Sequence, residues 1–193
     1  MKIHGDLISG NCLKVKYVAD FLAVDYEWIP VDVVSGGART PEMLSLNPVG
    51  QVPFVELADG RILSQSNAIM RYLAAGSDLI PKGSFDHAKM DQWLFWEQYS
   101  HETAIAVARF RVVYMGQAVT ELDTALVAKG NAALDVMEQH LSENDWFVED
   151  SITLADIALF AYTQFAEQPG FSLADRPHTR RWLDKTKMLL GVA

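Results

Sequence analysis

Two short motifs in the first third of the chain could bind a small peptide. Gln65 and Ser66 stand directly before a strongly helical run. Because the first backbone N–H groups of a helix attract anions, a serine at this position favours a carboxylate ligand. Val52 precedes Pro53 where an apolar strand begins, and proline cannot donate to a β-ladder, so a turn is expected there, often with a cis peptide bond. With an Asp-Gly hairpin at 59–60 between them, the two motifs predict a small-peptide site.

A second group of polar side chains lies where the first predicted strand gives way to the first predicted helix. Ser9 has a hydroxyl and Asn11 a side-chain amide, and both groups can donate a hydrogen bond. Cys12 is the one cysteine of the sequence. A helix N-terminus lowers the pKa of a thiol, so Cys12 could form a mixed disulfide. Simpler interpretations stay open: a capping or turn role for Ser9 and Asn11, and a small buried apolar role for Cys12.

The elements that must position these residues follow an α/β order. Residues 1–76 alternate short apolar segments with helical periodicity, which is typical of an α/β layer. The predicted order is βαβαββα. Strands are predicted at 2–4, 26–31, 53–57 and 61–63, and helices at 11–22, 42–45 and 65–75.

After residue 76 the sequence pattern changes from α/β alternation to a linker followed by helices. Residues 77–85 have the Gly, Pro and Ser content of a linker, so a domain boundary is predicted there. Residues 86–193 are helical almost throughout, and the third of their predicted helices has the clearest start. Thr153 is its predicted N-cap and Asp156 follows three residues later, a structural capping signal. The helices are predicted at 86–114, 120–141, 153–167 and 177–189.

The composition argues against several classes of protein, namely nucleic-acid-binding, membrane-spanning, secreted and disulfide-bonded proteins. The 193 residues carry a net charge of -9, which argues against nucleic acid, because such partners require clustered Lys and Arg. No apolar run reaches the roughly 20 residues of a membrane span, and the first residues lack the pattern of a secretory signal. A single cysteine excludes an intrachain disulfide. We therefore expect a compact enzyme of one or two domains in a reducing compartment.

The chain resembles the cytosolic glutathione S-transferases, specifically bacterial-type members with a serine or asparagine at the active site. The resemblance covers almost the whole length, and it implies a thioredoxin-like domain at 1–76 and an all-α domain at 86–193. It also implies glutathione as co-substrate, no metal, a small electrophile as second substrate, a homodimer, and a cytoplasmic role in detoxification. The resemblance is carried by an ordered set of residues, Ser9, Val52-Pro53 and Gln65-Ser66.

This resemblance assigns catalysis to the start of the first helix. A thiol with a pKa near 8.5 is only about 3% ionised at neutral pH, so the family stabilises the glutathione thiolate with a hydrogen-bond donor. That donor is Tyr, Ser or Cys in the family, and this chain has no tyrosine before Tyr17. Ser9 and Asn11 are therefore the candidates. Cys12 stands slightly later than the cysteine of cysteine-type relatives.

The same resemblance assigns the glutathione-binding residues. Ser66 would hold the γ-glutamyl carboxylate, with Gln65 beside it. The backbone of Val52 would pair with the cysteinyl part in a geometry fixed by Pro53. Gln51 would lie near the glycyl end of the ligand.

Two basic residues near these motifs have alternative interpretations. Arg39 follows a flexible Gly-Gly step and could reach the glycyl carboxylate, and a solvated loop arginine is an equal alternative. Lys14, one turn into the first predicted helix, is expected at the surface.

The second substrate is expected against the helical domain, whose first long helix carries a dense aromatic set. Aromatic residues at helical spacing usually belong to a core. Tyr99, Arg109 and Tyr114 have polar ends that could face a cleft. Arg109 also follows an apolar run, so it should be paired, with Glu97 or Glu102.

Two other functions remain as alternatives. Asn11 and Cys12 could serve a glutathione-dependent disulfide-bond reductase on the same fold, and the resemblance implies an asparagine at this place in relatives of that type. The fold also serves as a non-catalytic interaction module in regulatory and translation-associated relatives.

Overall fold

The computed structural model describes residues 1–192, and the chain divides into two compact units. The first unit is Met1–Ser77 and the second begins at Asp78, so the division falls inside the segment predicted as a linker. None of the described helices is long and apolar enough to cross a membrane.

The first unit is a four-stranded mixed sheet with three α-helices. The strand order is β2-β1-β3-β4; β1 runs parallel to β2 and antiparallel to β3, and β4 runs antiparallel to β3. The predicted thioredoxin-like βαβαββα order is confirmed. The strands are β1 (Lys2–Gly5), β2 (Glu27–Pro30), β3 (Phe54–Glu56) and β4 (Ile62–Ser64), and the helices are α1 (Gly10–Phe21), α2 (Pro41–Leu46) and α3 (Ser66–Leu73).

The core of this unit fixes where α1 and α3 begin. Ile3 pairs with Val55 across β1 and β3, and both side chains are fully buried. Val15 and Val18 of α1 and Ile69 of α3 are also fully buried. Each such aliphatic side chain stabilises the fold by about 1.5–3 kcal/mol. Because α1 and α3 pack against each other, the motifs that start these two helices are held in one rigid frame.

The second unit is all-α, as predicted. Its helices are α4 (Ser84–Trp96), α5 (Glu102–Arg109), α6 (Thr124–Glu143), α7 (Leu154–Thr163) and α8 (Pro177–Leu190). Two π-helical turns, Glu97–His101 and Phe110–Tyr114, continue α4 and α5, and a 3₁₀ turn covers Val119–Glu121. The helix predicted at 86–114 is therefore helical along its length, but its two π turns were not predicted. The helix predicted at 153–167 ends earlier, at Thr163.

The start of α7 is closed by hydrogen bonds. Asp156 is fully buried, and its carboxylate accepts from the backbone N–H groups of Thr153 (2.9 Å) and Phe147 (3.1 Å). The Thr153 hydroxyl and the Trp182 indole N–H each donate to it at 3.0 Å. Burial raises the pKa of Asp156 to about 6, although these donors act in the opposite direction. The Thr-x-x-Asp signal thus has the structural role predicted for it, and it ties α7 to α8.

Candidate functional site

The start of α1 brings Ser9 and Cys12 together. Ser9 is the N-cap residue of the helix, yet its side chain makes no hydrogen bond to the helix backbone. Its hydroxyl hydrogen-bonds the thiol of Cys12, one turn further along. Cys12 is fully buried, and burial raises the pKa of its thiol to about 11. Because a protonated thiol is a poor nucleophile, this setting favours the small buried apolar role over a redox role.

Asn11 joins the start of α1 to the start of α3. Its Oδ1 accepts a hydrogen bond from Ser66 Oγ at 3.1 Å, although the two residues are 55 positions apart in the sequence. The same oxygen accepts from Lys14 Nζ at 2.8 Å. Ser66 is buried and Asn11 is half-buried. Two of the motifs identified in the sequence therefore meet through a direct side-chain contact.

The backbone at the start of α3 is strained. Gln65 precedes the helix with φ 73° and ψ 112°, a region that residues other than glycine rarely adopt. Such a conformation costs about 1–3 kcal/mol and is concentrated at ligand sites. The Gln65 side chain is exposed and does not cap the helix. The first backbone N–H groups of α3 are thus suited to an anionic ligand rather than to a capping side chain.

The loop before β3 carries the remaining peptide-binding candidates. The Val52–Pro53 peptide bond is cis, and Pro53 is buried. Asn47 is buried and holds this loop, because its Nδ2 donates to the backbone oxygen of Gln51 at 2.8 Å. Sequence analysis missed Asn47; its one signal is the following Pro48, since Asn-Pro favours a turn.

Arg39 lies beside the same loop. It ends a 3₁₀ turn, Gly37–Arg39, and its side chain is exposed. A Cβ atom on Gly50 would lie 3.2 Å from Cγ of Arg39, and Gly50 has a φ of 65° that favours glycine. Glycine therefore allows the Arg39 stem to pack on the backbone directly before Gln51. The two candidates for the glycyl end of a ligand are thus neighbours.

Comparison with known proteins gives the same assignment for both units. The model of the glutathione S-transferase N-terminal domain matches residues 8–75, and that of the glutathione S-transferase C-terminal domain matches residues 102–186. Glutathione S-transferase 3 from Zea mays is 33% identical over 195 residues, which cover 94% of this chain and 86% of that protein. The chain belongs to the glutathione S-transferase family.

A further member of the family and an elongation factor are also similar. A glutathione S-transferase structure from Xanthobacter autotrophicus Py2 is 40% identical with a TM-score of 0.94, covering 100% of this chain and 95% of that chain. Elongation factor 1-gamma from Prunus avium is 31% identical over 208 residues, which cover 98% of this chain and 47% of that protein. The family is one of transferases, and its sequence pattern also extends to an elongation factor.

In the second unit, Tyr99 and Tyr114 lie in the two π-helical turns of this family member. Tyr99 belongs to Glu97–His101 and is 81% exposed, and Tyr114 ends Phe110–Tyr114 and is half-buried. Such turns change the direction of the side chains that follow and are frequent at functional sites. Both tyrosines keep their predicted role as second-substrate candidates.

Arg109, the third candidate for the second-substrate pocket, is buried, unlike Tyr99 and Tyr114. Its side chain is 4% exposed, its Nε donates to Gln168 Oε1 at 2.7 Å, and its guanidinium lies 4.3 Å from the centroid of the Phe165 ring. These contacts hold the side chain within the helical unit and favour a structural role. Its pairing with Glu97 or Glu102 stays a prediction.

The expectation that Lys14 lies at the surface is wrong. Its side chain is 0% exposed, and it reaches Asn11 from one turn further along α1. The i, i+3 spacing of the two residues was the available signal. Among the residues that the structure describes, no group of three or more His, Cys, Asp or Glu side chains could hold a metal ion.

Proposed function

We propose that this chain is a glutathione transferase that binds reduced glutathione in its first unit and stabilises the thiolate for attack on an electrophilic small molecule. The observation that carries the proposal is the 3.1 Å hydrogen bond between Asn11 Oδ1 and Ser66 Oγ. This bond joins the start of α1, which is suited to a thiolate, to the start of α3, which is suited to a carboxylate. A thiolate and a carboxylate are two of the anionic groups of glutathione, a single tripeptide.

The ligand would be held largely by backbone groups. The γ-glutamyl carboxylate would accept from the backbone N–H of Ser66 at the positive end of α3, and from the Ser66 hydroxyl when its one proton turns from Asn11 Oδ1 to the ligand. The backbone of Val52 would pair with the cysteinyl part as a short added strand, and Arg39 and Gln51 would face the glycyl carboxylate. The strained backbone of Gln65 supports this arrangement, because a purely structural helix start has no need of it.

Asn11 is the better candidate for the donor to the thiolate. The Ser9 hydroxyl hydrogen-bonds the Cys12 thiol, whereas Asn11 turns its carbonyl oxygen towards Ser66 and so presents its amide as the donor end. A hydrogen bond to a charged group contributes about 1.5–3 kcal/mol, and one pKa unit corresponds to about 1.4 kcal/mol. One such donor lowers the pKa of a thiol by about one to two units, from about 8.5 towards neutral pH.

Isothermal titration calorimetry with reduced glutathione tests this proposal. We expect saturable binding by the wild type and an affinity at least about tenfold lower for Ser66→Ala, because a hydrogen bond to the carboxylate is lost. Ser45→Ala is the matched control, since Ser45 is an exposed serine of α2 whose hydroxyl donates to the backbone of Glu42. A wild-type protein without saturable binding would contradict the proposal.

Reduction of glutathione-linked disulfides is a second function for the same site. The place of Asn11 in the contact with Ser66 favours it, because the family resemblance links an asparagine here to relatives of the reductase type. The full burial of Cys12 and the raised pKa of its thiol argue against a part for that thiol in the mechanism. Tighter binding of oxidised than of reduced glutathione, together with turnover of a disulfide substrate, would favour reduction over conjugation.

A non-catalytic interaction module is the third possibility, and the similarity to an elongation factor favours it. The Asn11–Ser66 contact and the strained Gln65 speak against it, because a module without a ligand has no physical need of either. As the family resemblance implies, we also propose a cytoplasmic homodimer. Size-exclusion chromatography with light scattering tests the dimer and should give twice the mass of one chain.

A further inference from the structure

Lys14 is a buried lysine in direct contact with the proposed site. Its side chain is 0% exposed on α1, and its Nζ lies 2.8 Å from Asn11 Oδ1. Moving an ammonium group out of water is costly unless polar partners compensate. An apolar side chain of similar length would fill the same volume without that cost. The burial of a lysine here therefore calls for a reason beyond packing.

The chemistry of the Lys14 contact determines how the Asn11 amide is oriented. A lysine ammonium has three donors and no acceptor, so the Asn11 atom that faces it must be the carbonyl oxygen. Ser66 cannot impose this choice, because a hydroxyl both donates and accepts and would tolerate either end of the amide. If the amide rotated by half a turn, its N–H groups would face the ammonium and the contact with Lys14 would be lost, whereas the Ser66 hydroxyl could accept from those N–H groups.

We propose that Lys14 is a positioning residue that acts through Asn11. It holds the carbonyl oxygen of Asn11 inward and so keeps the amide N–H groups directed to the thiol of the bound tripeptide. This inference rests on the proposed function, since it assigns to Lys14 a part in thiolate stabilisation. Without Lys14, the amide would populate both orientations, and the orientation with the oxygen outward would repel the thiolate.

The experiment compares wild type, Lys14→Met, Asn11→Ala and the double variant. The readout is the pKa of the bound glutathione thiol, obtained from thiolate absorbance as a function of pH, together with kcat and KM for conjugation of a chlorinated aromatic compound. We expect Lys14→Met to raise the pKa of the bound thiol and to lower kcat by about tenfold near neutral pH, with a smaller change in KM. The loss should shrink at higher pH, where the thiol ionises without help.

The double variant decides whether Lys14 acts through Asn11. If it does, Lys14→Met adds nothing once Asn11 is replaced by alanine, so the two effects are strongly non-additive. Lys16→Met is the control on the same helix, because Lys16 pairs with Asp20 at the surface and should leave every readout unchanged. Full additivity, or an unchanged thiol pKa in folded Lys14→Met, would overturn the inference.

Two further outcomes are informative. If Lys14→Met does not fold, Lys14→Gln takes its place in the cycle, since its amide keeps a donor without the charge. It should lower kcat by about two- to threefold, again only when Asn11 is present, and additivity would again overturn the inference. A wild type that binds no glutathione contradicts the proposed function and this inference together, whereas normal wild-type binding with no effect of Lys14 contradicts the inference alone.

Discussion

The helices α7 and α3 both begin at or beside a hydroxyl residue, and their two starts are built in opposite ways. At the start of α7, Thr153 and Asp156 bond each other, and the buried carboxylate also accepts from two other segments. At the start of α3, Gln65 has a strained backbone and no capping side chain, and the Ser66 hydroxyl turns to Asn11.

The contrast distinguishes a helix start that stabilises the fold from a helix start that is suited to bind a ligand. A closed start stabilises the fold because each polar group has a partner within the chain. A strained and uncapped start gives up stability, and proteins retain such starts where a ligand completes them. We therefore assign α7 to the framework of its unit and the start of α3 to the proposed glutathione site.

Removing the carboxylate at the start of α7 should have the largest effect. Asp156→Ala leaves the N–H groups of Phe147 and Thr153 and the indole of Trp182 without their buried acceptor, and we expect a loss of about 3–5 kcal/mol in the free energy of unfolding. Urea unfolding measures it. Asp123→Ala is the matched control, because Asp123 caps α6 at the surface and should cost only about 1 kcal/mol. Equal losses would remove the distinction between a buried and an exposed cap.

The protonation of Asp156 gives the next largest effect. Its pKa in the folded protein is raised to about 6 from an ordinary value of 3.8, mainly by burial. Between these values the folded state holds a proton that the unfolded state has lost, so stability falls as pH rises through this window. The contribution amounts to about 3 kcal/mol and is fully present only below about pH 4.

Unfolding of the wild type and of Asp156→Asn at a series of pH values isolates this contribution. The wild type should lose stability relative to Asp156→Asn as pH rises from 4 to 7. His140 acts in the opposite direction, because burial lowers its pKa, but it is common to both proteins and cancels in the difference. A difference that does not change with pH would show that the carboxyl of Asp156 titrates alike in the folded and unfolded states.

Relieving the strain at the start of α3 should have a smaller effect of opposite sign. Gln65→Gly should raise the free energy of unfolding by about 1 kcal/mol and weaken glutathione binding, because glycine adopts this backbone without cost but no longer holds it rigidly. Ala23→Gly is the matched control, since Ala23 also has a positive φ, 52°, outside the proposed site. It should stabilise the protein and leave binding unchanged. Tighter binding by Gln65→Gly would contradict the role given to the strained backbone.

The fold was largely predictable because its signals are local. Apolar periodicity, the hairpin at 59–60 and the Thr-x-x-Asp cap each act within a few residues, and they gave the element order of both units. The π-helical turns were missed because they are defined by the backbone hydrogen-bond pattern, which apolar periodicity in the sequence does not report. The end of α7 was missed for a related reason, since the residues after Thr163 form successive turns that keep an apolar pattern.

The proposed site was predictable in part. Gln65 and Ser66 were identified by their position before a helix, which is local. The burial of Lys14 and the loop contact of Asn47 were not predicted, because they depend on which segments pack over those two side chains. The Asn11–Ser66 contact joins residues far apart in sequence, so only the packing of α1 on α3 could reveal it.

The most direct test of this account measures stability and glutathione affinity together in Thr153→Ala and Ser66→Ala. Urea unfolding and calorimetry on the same preparations give both quantities. We predict that Thr153→Ala loses about 1–2 kcal/mol of stability with unchanged affinity. Ser66→Ala should keep its stability within about 1 kcal/mol and bind glutathione at least about tenfold more weakly. Unchanged affinity in folded Ser66→Ala would contradict the assignment of the α3 start to the site.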